Sequence, residues 1–576
     1  MELLNQGAIL LILLTAGPLA LALGMVILGL YRRAIEREMG CASAEEQPVS
    51  EDRTSRRRPQ LDLSYRLEEM SSVRQAQQAP LSDDPSLPGA AVYTLAGIAF
   101  GASSAILLFV LSDTEFLPLR TACVSWAYAW PVVLTLNLIW TGDRRRQLGV
   151  TACYALVIAF FCLWSVATDS VSTSIAGISF AAFLSPVLLW AIFAAPSVYL
   201  LLFLNRTVRA IGPVLLVFTT LILVGWHIAM TVLGSPVGMR TASQIFAWTD
   251  LGAIGLTLAV TIAGLTAGMA AGWAAIRWLA DAYAAHRFSE QALVIDSIWF
   301  GQSLILCSSL AFEIGVWAIV GLIPFAIYKA VCVLGFRRLS TKQEPQPLRL
   351  LLLRVFGFGG RSSRLFDLVA SRWRYVGIIR VIAAPDLASR TIEVSKLLAF
   401  VRGRLGRLFV RDETALVQRL LEMNERRDPD GRFRIAEFFC AGEVWRSAVR
   451  KLMIDARLVV MDLRSFGPRH EGCAFEMQTL LDLVPLERMA LLINQDTNVQ
   501  FLKQVLDLRW RELSASSPNG TAREPICVLM KVDALEIGVV QRLMQAGLGH
   551  RAPDSSPDRS AAQYAATGEP KSENEK

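Results

Sequence analysis

The sequence predicts a multi-spanning α-helical membrane domain followed by a cytoplasmic α/β domain with a mainly parallel sheet covered on both faces. Of its 576 residues, 53% are hydrophobic and 19% are charged, which is too apolar for an ordinary soluble chain and too charged for membrane helices alone. Apolar runs of membrane-spanning length fill residues 1–336, whereas short apolar runs alternate with helical patterns over residues 347–549. Two compartments in one chain follow from this division.

The amino-terminal residues 1–32 are predicted to form the first transmembrane anchor. The apolar run Ala8–Tyr31 is preceded by Glu2 and followed by Arg32 and Arg33, which places the amino terminus outside by the positive-inside rule. Residues 33–89 are polar and contain few apolar side chains, so we expect a mostly disordered cytoplasmic loop, with a short helix near residues 63–70.

Residues 90–336 are predicted to form the rest of the membrane domain, with about eight further spans. Basic residues follow every second span, which places those connections, and the chain beyond residue 336, in the cytoplasm of an inner or plasma membrane. At about 1.5 Å per residue, Gln291–Phe336 is long enough to cross twice, with a turn near 308–313. The other expected spans are Ala90–Leu111, Ala122–Trp140, Leu148–Ala167, Phe180–Leu204, Ile211–Leu233 and Leu251–Trp278.

Ionisable residues within the expected spans are few. His227, Asp296 and Glu313 do not share one span at helical spacing, and no pair of half-helices broken by Gly-Pro indicates a transport site. We therefore expect packing or interface roles for them, with a proton or ion pathway as the alternative. A transporter with a regulatory domain is the third of our functional hypotheses. The small residues of Ala263–Ala275 predict close helix packing.

The net charge and the positions of the cysteines indicate which partners, metal sites and disulfides to expect. The formal charge of +7 arises from arginines beside apolar runs, as in cytoplasmic flanks of membrane helices, so we expect the lipid bilayer as a partner and no nucleic acid. The nine cysteines include no CxxC pair and no cluster with histidine. We predict neither a metal site nor a disulfide framework.

Two loops of the α/β domain are candidate ligand sites. The first follows the apolar run at residues 348–356, and its residues Gly357, Gly359, Gly360 and Ser362 would let the backbone approach a phosphate at a helix amino terminus, or would simply form a tight turn. The second follows the buried strand that ends in Asp462, which would orient a ligand hydroxyl or cap the loop. Residues 550–576 are expected to form a disordered tail.

The stretch EVWRSAVRKLMIDARLVVMDL at residues 443–463, followed by Cys473-Ala-Phe-Glu476, resembles the later half of a TIR-type domain, a Rossmann-like fold. In that family a helix leads into an apolar strand, and a Cys-x-x-Glu pattern then opens the next helix. The chain departs from the family at Gly472, where tryptophan is usual. The resemblance implies that Glu476 is catalytic if the domain cleaves NAD, and that the domain acts after self-association.

The residues themselves leave the role of Glu476 open. A carboxylate beside the ribose would stabilise an oxocarbenium-like state, but an acidic residue in a first helical turn also complements the helix dipole. We therefore favour a membrane signalling protein whose cytoplasmic domain binds a nucleotide, such as NAD, or a protein partner. A membrane-anchored TIR-like NAD glycohydrolase is the alternative, so enzymatic activity stays open at this point.

Overall fold

A computed structural model of the chain describes most of its length, and every structural statement below concerns the described part. That part comprises residues 2–43, 61–69, 87–111, 118–139, 144–170, 211–249, 252–339, 347–354, 359–382, 394–440, 444–464, 466–467, 472–522, 524–532, 539–540 and 542–545.

The first 339 residues are almost entirely helical where they are described. Their composition explains this, because long apolar runs can satisfy their backbone hydrogen bonds only internally when they lie in lipid. The helices are α1 (Glu2–Ser43), α2 (Leu87–Leu111), α3 (Pro118–Tyr128), α4 (Pro131–Ile139), α5 (Arg144–Ser170), α6 (Gly212–Gly234), α7 (Pro236–Thr249), α8 (Ala253–Ala284), α9 (Glu290–Ile314) and α10 (Ile323–Leu339).

Six helical stretches in the described part are long and apolar enough to cross a membrane: Thr15–Glu38, Leu87–Leu111, Val214–Gly234, Ala253–Ala284, Glu290–Ser308 and Trp317–Leu339. Helices α3 and α4, bent by 49°, give a seventh if they count as one span. By length and composition the chain fits a multi-pass membrane protein. The expected span Phe180–Leu204 lies outside the described residues, and Leu148–Ala167 lies within α5, whose apolar stretch Gln147–Phe161 is shorter than those six.

The region that we expected to cross twice contains two of these stretches, in α9 and α10. The chain turns at Gly315, whose φ of 57° is the left-handed region that favours glycine, and not at residues 308–313. A 3₁₀ segment, Gly315–Leu322, follows and packs against α9. Gly321 lies so close to α9 that a Cβ added to it would lie 2.8 Å from the sulfur of Cys307.

Helices α6 and α8 confirm the close packing that the small residues predict. A Cβ added to Gly268 would lie 2.6 Å from the carbonyl oxygen of Leu221, and one added to Gly264 would lie 2.7 Å from the Cβ of Ala229. Only glycine allows the two backbones to approach this closely.

The described strands form an eight-stranded parallel sheet, with one strand from between α1 and α2 and the other seven from residues 348–531. The strands are β1 (Ser64–Glu69), β2 (Leu348–Arg354), β3 (Gly377–Ile382), β4 (Phe409–Val410), β5 (Ile435–Cys440), β6 (Leu458–Asp462), β7 (Met489–Ile493) and β8 (Ile526–Lys531), in the spatial order β1-β8-β7-β6-β2-β3-β5-β4. The helices between them are α11 (Gly359–Trp373), α12 (Val394–Val401), α13 (Glu413–Glu422), α14 (Val444–Asp455), α15 (Gly472–Leu483) and α16 (Val499–Arg511).

Strand β1 corrects our expectation for residues 33–89. This segment was expected to be disordered with a short helix near residues 63–70, but α1 continues to Ser43 and residues Ser64–Glu69 pair in parallel with β8. The hydroxyl of Tyr65 donates to Asp507 at 2.6 Å. The polar composition of residues 64–69 does not predict a strand. The strand forms by pairing with β8, which lies more than 450 residues later in the chain.

Alternate residues of the central strands join two buried apolar clusters. Leu350 and Val460 pack in one cluster, which continues into the membrane helices, whereas Leu351 and Met461 pack in the other. The pleat of β2 and β6 sends successive side chains to opposite faces, which accounts for the two separate clusters.

The connection between α8 and α9 lies directly against the α/β domain. Asp428, whose side chain is fully buried, contacts His286 at 3.0 Å and Arg434 at 2.9 Å, and the guanidinium of Arg434 stacks 3.9 Å from the ring centre of Tyr283. Burial lowers the pKa of His286 from its usual value. Polar contacts therefore join the connection between α8 and α9 to the sheet domain.

Candidate functional site

The strand order places a topological switch point between β2 and β6. From β2 the chain moves one way along the sheet, to β3, then to the edge strand β4 and back to β5, which lies between β3 and β4. Strands β6, β7 and β8 follow one another on the other side of β2. The five strands β3-β2-β6-β7-β8 thus lie in the order 2-1-3-4-5, numbered along the chain. Open parallel sheets bind ligands at the carboxyl ends of the strands that flank such a point.

Both loops that the sequence singled out leave the sheet at this switch point. Arg354, the last residue of β2, lies in register with Asp462, the last residue of β6. Helix α11 begins with Gly359 and Gly360 after β2, and Ser362 lies in its first turn, whereas α15 begins with Gly472 after β6. Gly357 lies outside the described residues. The structure therefore brings together the strand ends from which the two candidate loops leave the sheet.

Asp462 is buried at the strand end and is paired with Arg464. The guanidinium of Arg464 donates two hydrogen bonds to the carboxylate, each at 2.7 Å, and its backbone N–H lies 3.3 Å from the same group. Asp462 is 3% exposed, so the bidentate pair offsets the cost of its burial. The sequence did not single out Arg464, although it is a basic residue two positions after the acidic residue that ends a buried strand.

Glu476 lies on the buried face of α15, in its second helical turn from Gly472. It is 2% exposed, and its Oε2 atom has no hydrogen-bond partner within the described part of the chain. Burial raises the pKa of this carboxyl to about 8. At neutral pH Glu476 is therefore mainly a neutral acid, which can donate a hydrogen bond but carries little negative charge.

Cys473 lies one turn before Glu476. Burial, with a smaller contribution from Glu476, raises the pKa of its thiol to about 12. The side chain consequently stays a thiol at neutral pH and has none of the thiolate character of a nucleophile.

Cationic side chains of α14 lie beside the start of α15. Arg446 and Arg450 lie 5.3 and 5.5 Å from the ring centre of Phe475, which also makes an edge contact with Trp445 at 5.2 Å. Helix α14 follows β5, so its amino end belongs to the same carboxyl edge of the sheet. These arginines were not singled out from the sequence, because their proximity to α15 depends on the tertiary fold.

Another network of charged side chains in the domain lies away from the switch point. Arg349, near the amino end of β2, pairs with Glu425 at 2.9 Å and with Asp455 at 2.5 Å, and Arg380 contacts the same two carboxylates. Such a closed network of two cations and two anions satisfies its own charges. We infer that this network stabilises the starts of these strands.

Comparisons with models of known families, with curated proteins and with solved structures find no match for this chain.

Proposed function

We propose that this chain is a membrane signalling protein whose α/β domain binds a nucleotide at the carboxyl edge between β2 and β6. The observation that carries the proposal is the register of Arg354 with Asp462, because it sets both candidate loops side by side at a topological switch point. The domain would stand in the cytoplasm after the membrane helices, with its sheet covered on both faces and the amino terminus of the chain outside.

A phosphate-bearing ligand fits the chemistry of this edge. Helices α11 and α15 both begin there with glycine, and helix amino termini favour anions through their free N–H groups and dipole. Arg446 and Arg450 add positive charge beside α15. NAD or a related nucleotide supplies the pyrophosphate for the glycines and ribose hydroxyls for the Asp462 loop.

Binding without turnover is the activity that the geometry supports best. Cleavage of NAD through an oxocarbenium-like state calls for a carboxylate, whereas burial keeps Glu476 protonated at neutral pH. The TIR-like alternative, an NAD glycohydrolase with Glu476 as the catalytic residue, retains one favourable observation. Glu476 is a buried carboxyl whose Oε2 atom has no partner among the described residues, and such groups are typical of functional sites. In either case the TIR-like resemblance implies self-association of the cytoplasmic domain.

Equilibrium dialysis of NAD and ADP against the full-length protein in detergent tests this proposal. We expect saturable binding that the Gly360→Asp substitution weakens at least tenfold, because a carboxylate at the start of α11 repels a phosphate there while still complementing the helix dipole. Nicotinamide release is measured in the same samples and is expected to be absent.

Gly520→Asp serves as the matched control. Gly520 precedes β8 at the amino edge of the sheet, where a Cβ would make only an ordinary 3.5 Å contact with the carbonyl oxygen of Ser517. Absence of binding of both nucleotides, or equal weakening by the two aspartates, would contradict the proposed site. Nicotinamide release that Glu476→Gln abolishes would instead establish the glycohydrolase alternative.

A further inference from the structure

Helix α9 is the most enclosed of the candidate spans in the described part of the chain. In its apolar window 72% of residues are buried, compared with 39% or less in the other candidates. Trp299 is fully buried between Phe100 of α2 and Tyr328 of α10, with ring centres 4.7 and 5.3 Å away. Helix α9 therefore runs through the interior of the helix bundle.

Polar side chains follow the inner part of α9. Asp296 accepts a hydrogen bond from the hydroxyl of Tyr328 at 3.1 Å and forms an ion pair with Lys329 at 2.6 Å. Asp296, Trp299 and Ser303 lie at positions i, i+3 and i+7, on one face of the helix. Ser303 is 0% exposed, and its hydroxyl has no hydrogen-bond partner among the described residues.

Helix α2 presents a matching hydroxyl. It runs in the same direction as α9, because Phe100 contacts Trp299 and the later residues Leu107 and Leu108 pack with Leu306 and Leu310 of α9. Ser104 lies one turn beyond Phe100, just as Ser303 lies one turn beyond Trp299. The hydroxyl of Ser104 is likewise buried without a partner in the described structure.

The outer part of α9 continues the polar sequence. Ser308 is 1% exposed, its hydroxyl is also unpartnered among the described residues, and its backbone hydrogen-bonds with His227 of α6. From Asp296 to Ser308 the helix rises about 18 Å, more than half of a hydrocarbon core of about 30 Å. Buried polar groups are thus spread over much of the membrane depth.

Unpaired polar groups are costly inside a membrane protein, and buried polar sites take ordered water when no protein group is in reach. We propose that α9 lines a proton pathway through the membrane domain, along the hydroxyls of Ser303 and Ser104 and the water between them, from the His227 level to Asp296. Carboxylate, imidazole and hydroxyl groups exchange protons, so a proton accepted on one side is released on the other with no other bond changed. Intramembrane ionisable residues mark such relays in other membrane proteins.

The α/β domain closes the inner end of this pathway. Ser289, which caps the start of α9, hydrogen-bonds to Asp430, and Gln291 accepts a hydrogen bond from Arg432. This contact covers the start of α9: burial raises the pKa of Asp430 and lowers that of Arg432, although both residues stay partly exposed. Loosening it should therefore increase proton flux.

Proton flux into liposomes that contain the full-length protein tests the proposal. A pH-sensitive dye is enclosed, and a potassium gradient with valinomycin drives proton entry. We expect flux above that of protein-free liposomes, a severalfold increase in Arg432→Ala, and at least a tenfold loss when Asp296→Asn is added. Ser303→Ala should reduce flux, whereas Ser297→Ala should not, because the Ser297 hydroxyl is already satisfied by the Leu293 carbonyl at 2.7 Å.

Tyr328→Phe provides a second test if the Asp296→Asn protein does not fold, because it removes only the hydroxyl that donates to Asp296. We expect this variant to reduce flux as well. Flux no greater than in empty liposomes for both the natural protein and Arg432→Ala would overturn the proposal. So would flux that neither Asp296→Asn nor Tyr328→Phe changes.

Discussion

Lys396→Met lowers the free energy of unfolding of the α/β domain by about 3–5 kcal/mol, the usual cost of leaving one partner of a buried ion pair unpaired. Lys396 of α12 forms an ion pair with Glu437 of β5, and the two side chains are 4% and 1% exposed. The ammonium also lies 5.2 Å from the ring centre of Phe439. In the variant the Glu437 carboxylate would remain in a dry site without its cation.

Urea denaturation of the purified full-length protein in detergent, followed by tryptophan fluorescence, measures this loss. Adding Glu437→Gln to Lys396→Met should restore most of the stability, because the uncompensated charge is then removed. Lys451→Met is the matched control: its ion pair with Glu413 is 2.9 Å long, but the Glu413 side chain is 63% exposed. Exposed pairs contribute roughly 0–1 kcal/mol, so equal losses in the two lysine variants would refute the assignment.

Glu476→Gln makes the α/β domain more stable than the natural protein at pH 8 but not at pH 5. The folded pKa of about 8 lies above the ordinary value of 4.5, so between these values the folded state holds a proton that the unfolded state has released. The contribution of Glu476 to stability is therefore fully present below pH 4.5 and is lost as the pH rises toward 8. A shift of this size corresponds to a loss of roughly 4–5 kcal/mol.

The same urea denaturation, repeated at half-unit steps from pH 5 to pH 8, tests this dependence. A neutral glutamine has no such titration, although its buried amide also lacks partners and should cost about 1–3 kcal/mol at low pH. The two stability curves should therefore cross within this range. Glu487→Gln is the control, because Glu487 is exposed. Parallel curves for the Glu476 variant and the natural protein would show that the carboxyl is not protonated in the folded state.

The sequence predicts most of the membrane helices and the α/β alternation, because both depend on local patterns of apolar residues. Span length and strand burial are local quantities, so Leu87–Leu111 and Leu458–Asp462 correspond closely to the predicted run and strand. Strand β1 and the Asp428–Arg434 contact with the α8–α9 connection were not predicted. Each depends on a partner far away in the chain, which no local pattern encodes.

The candidate site is likewise predicted only in part by the sequence. Asp462 at a strand end and the glycines around the start of α11 are visible as motifs, because the apolar pattern changes from strand to helix at both places. Their shared edge depends on the placement of β6 beside β2, and the burial of Glu476 depends on the packing of α15. The sequence therefore identifies the loops, whereas tertiary structure supplies their proximity and the protonation state of the acid.

Hydrogen exchange of the full-length protein with and without saturating NAD tests the central claim, a nucleotide site between β2 and β6, most directly. We predict that NAD slows exchange of backbone amides at the starts of α11 and α15, near Gly360 and Cys473, and leaves the amino edge of the sheet near Gly520 unchanged. Protection of these two helix starts would place the ligand at the switch point. Protection elsewhere in the domain, with both helix starts unaffected, would contradict the account.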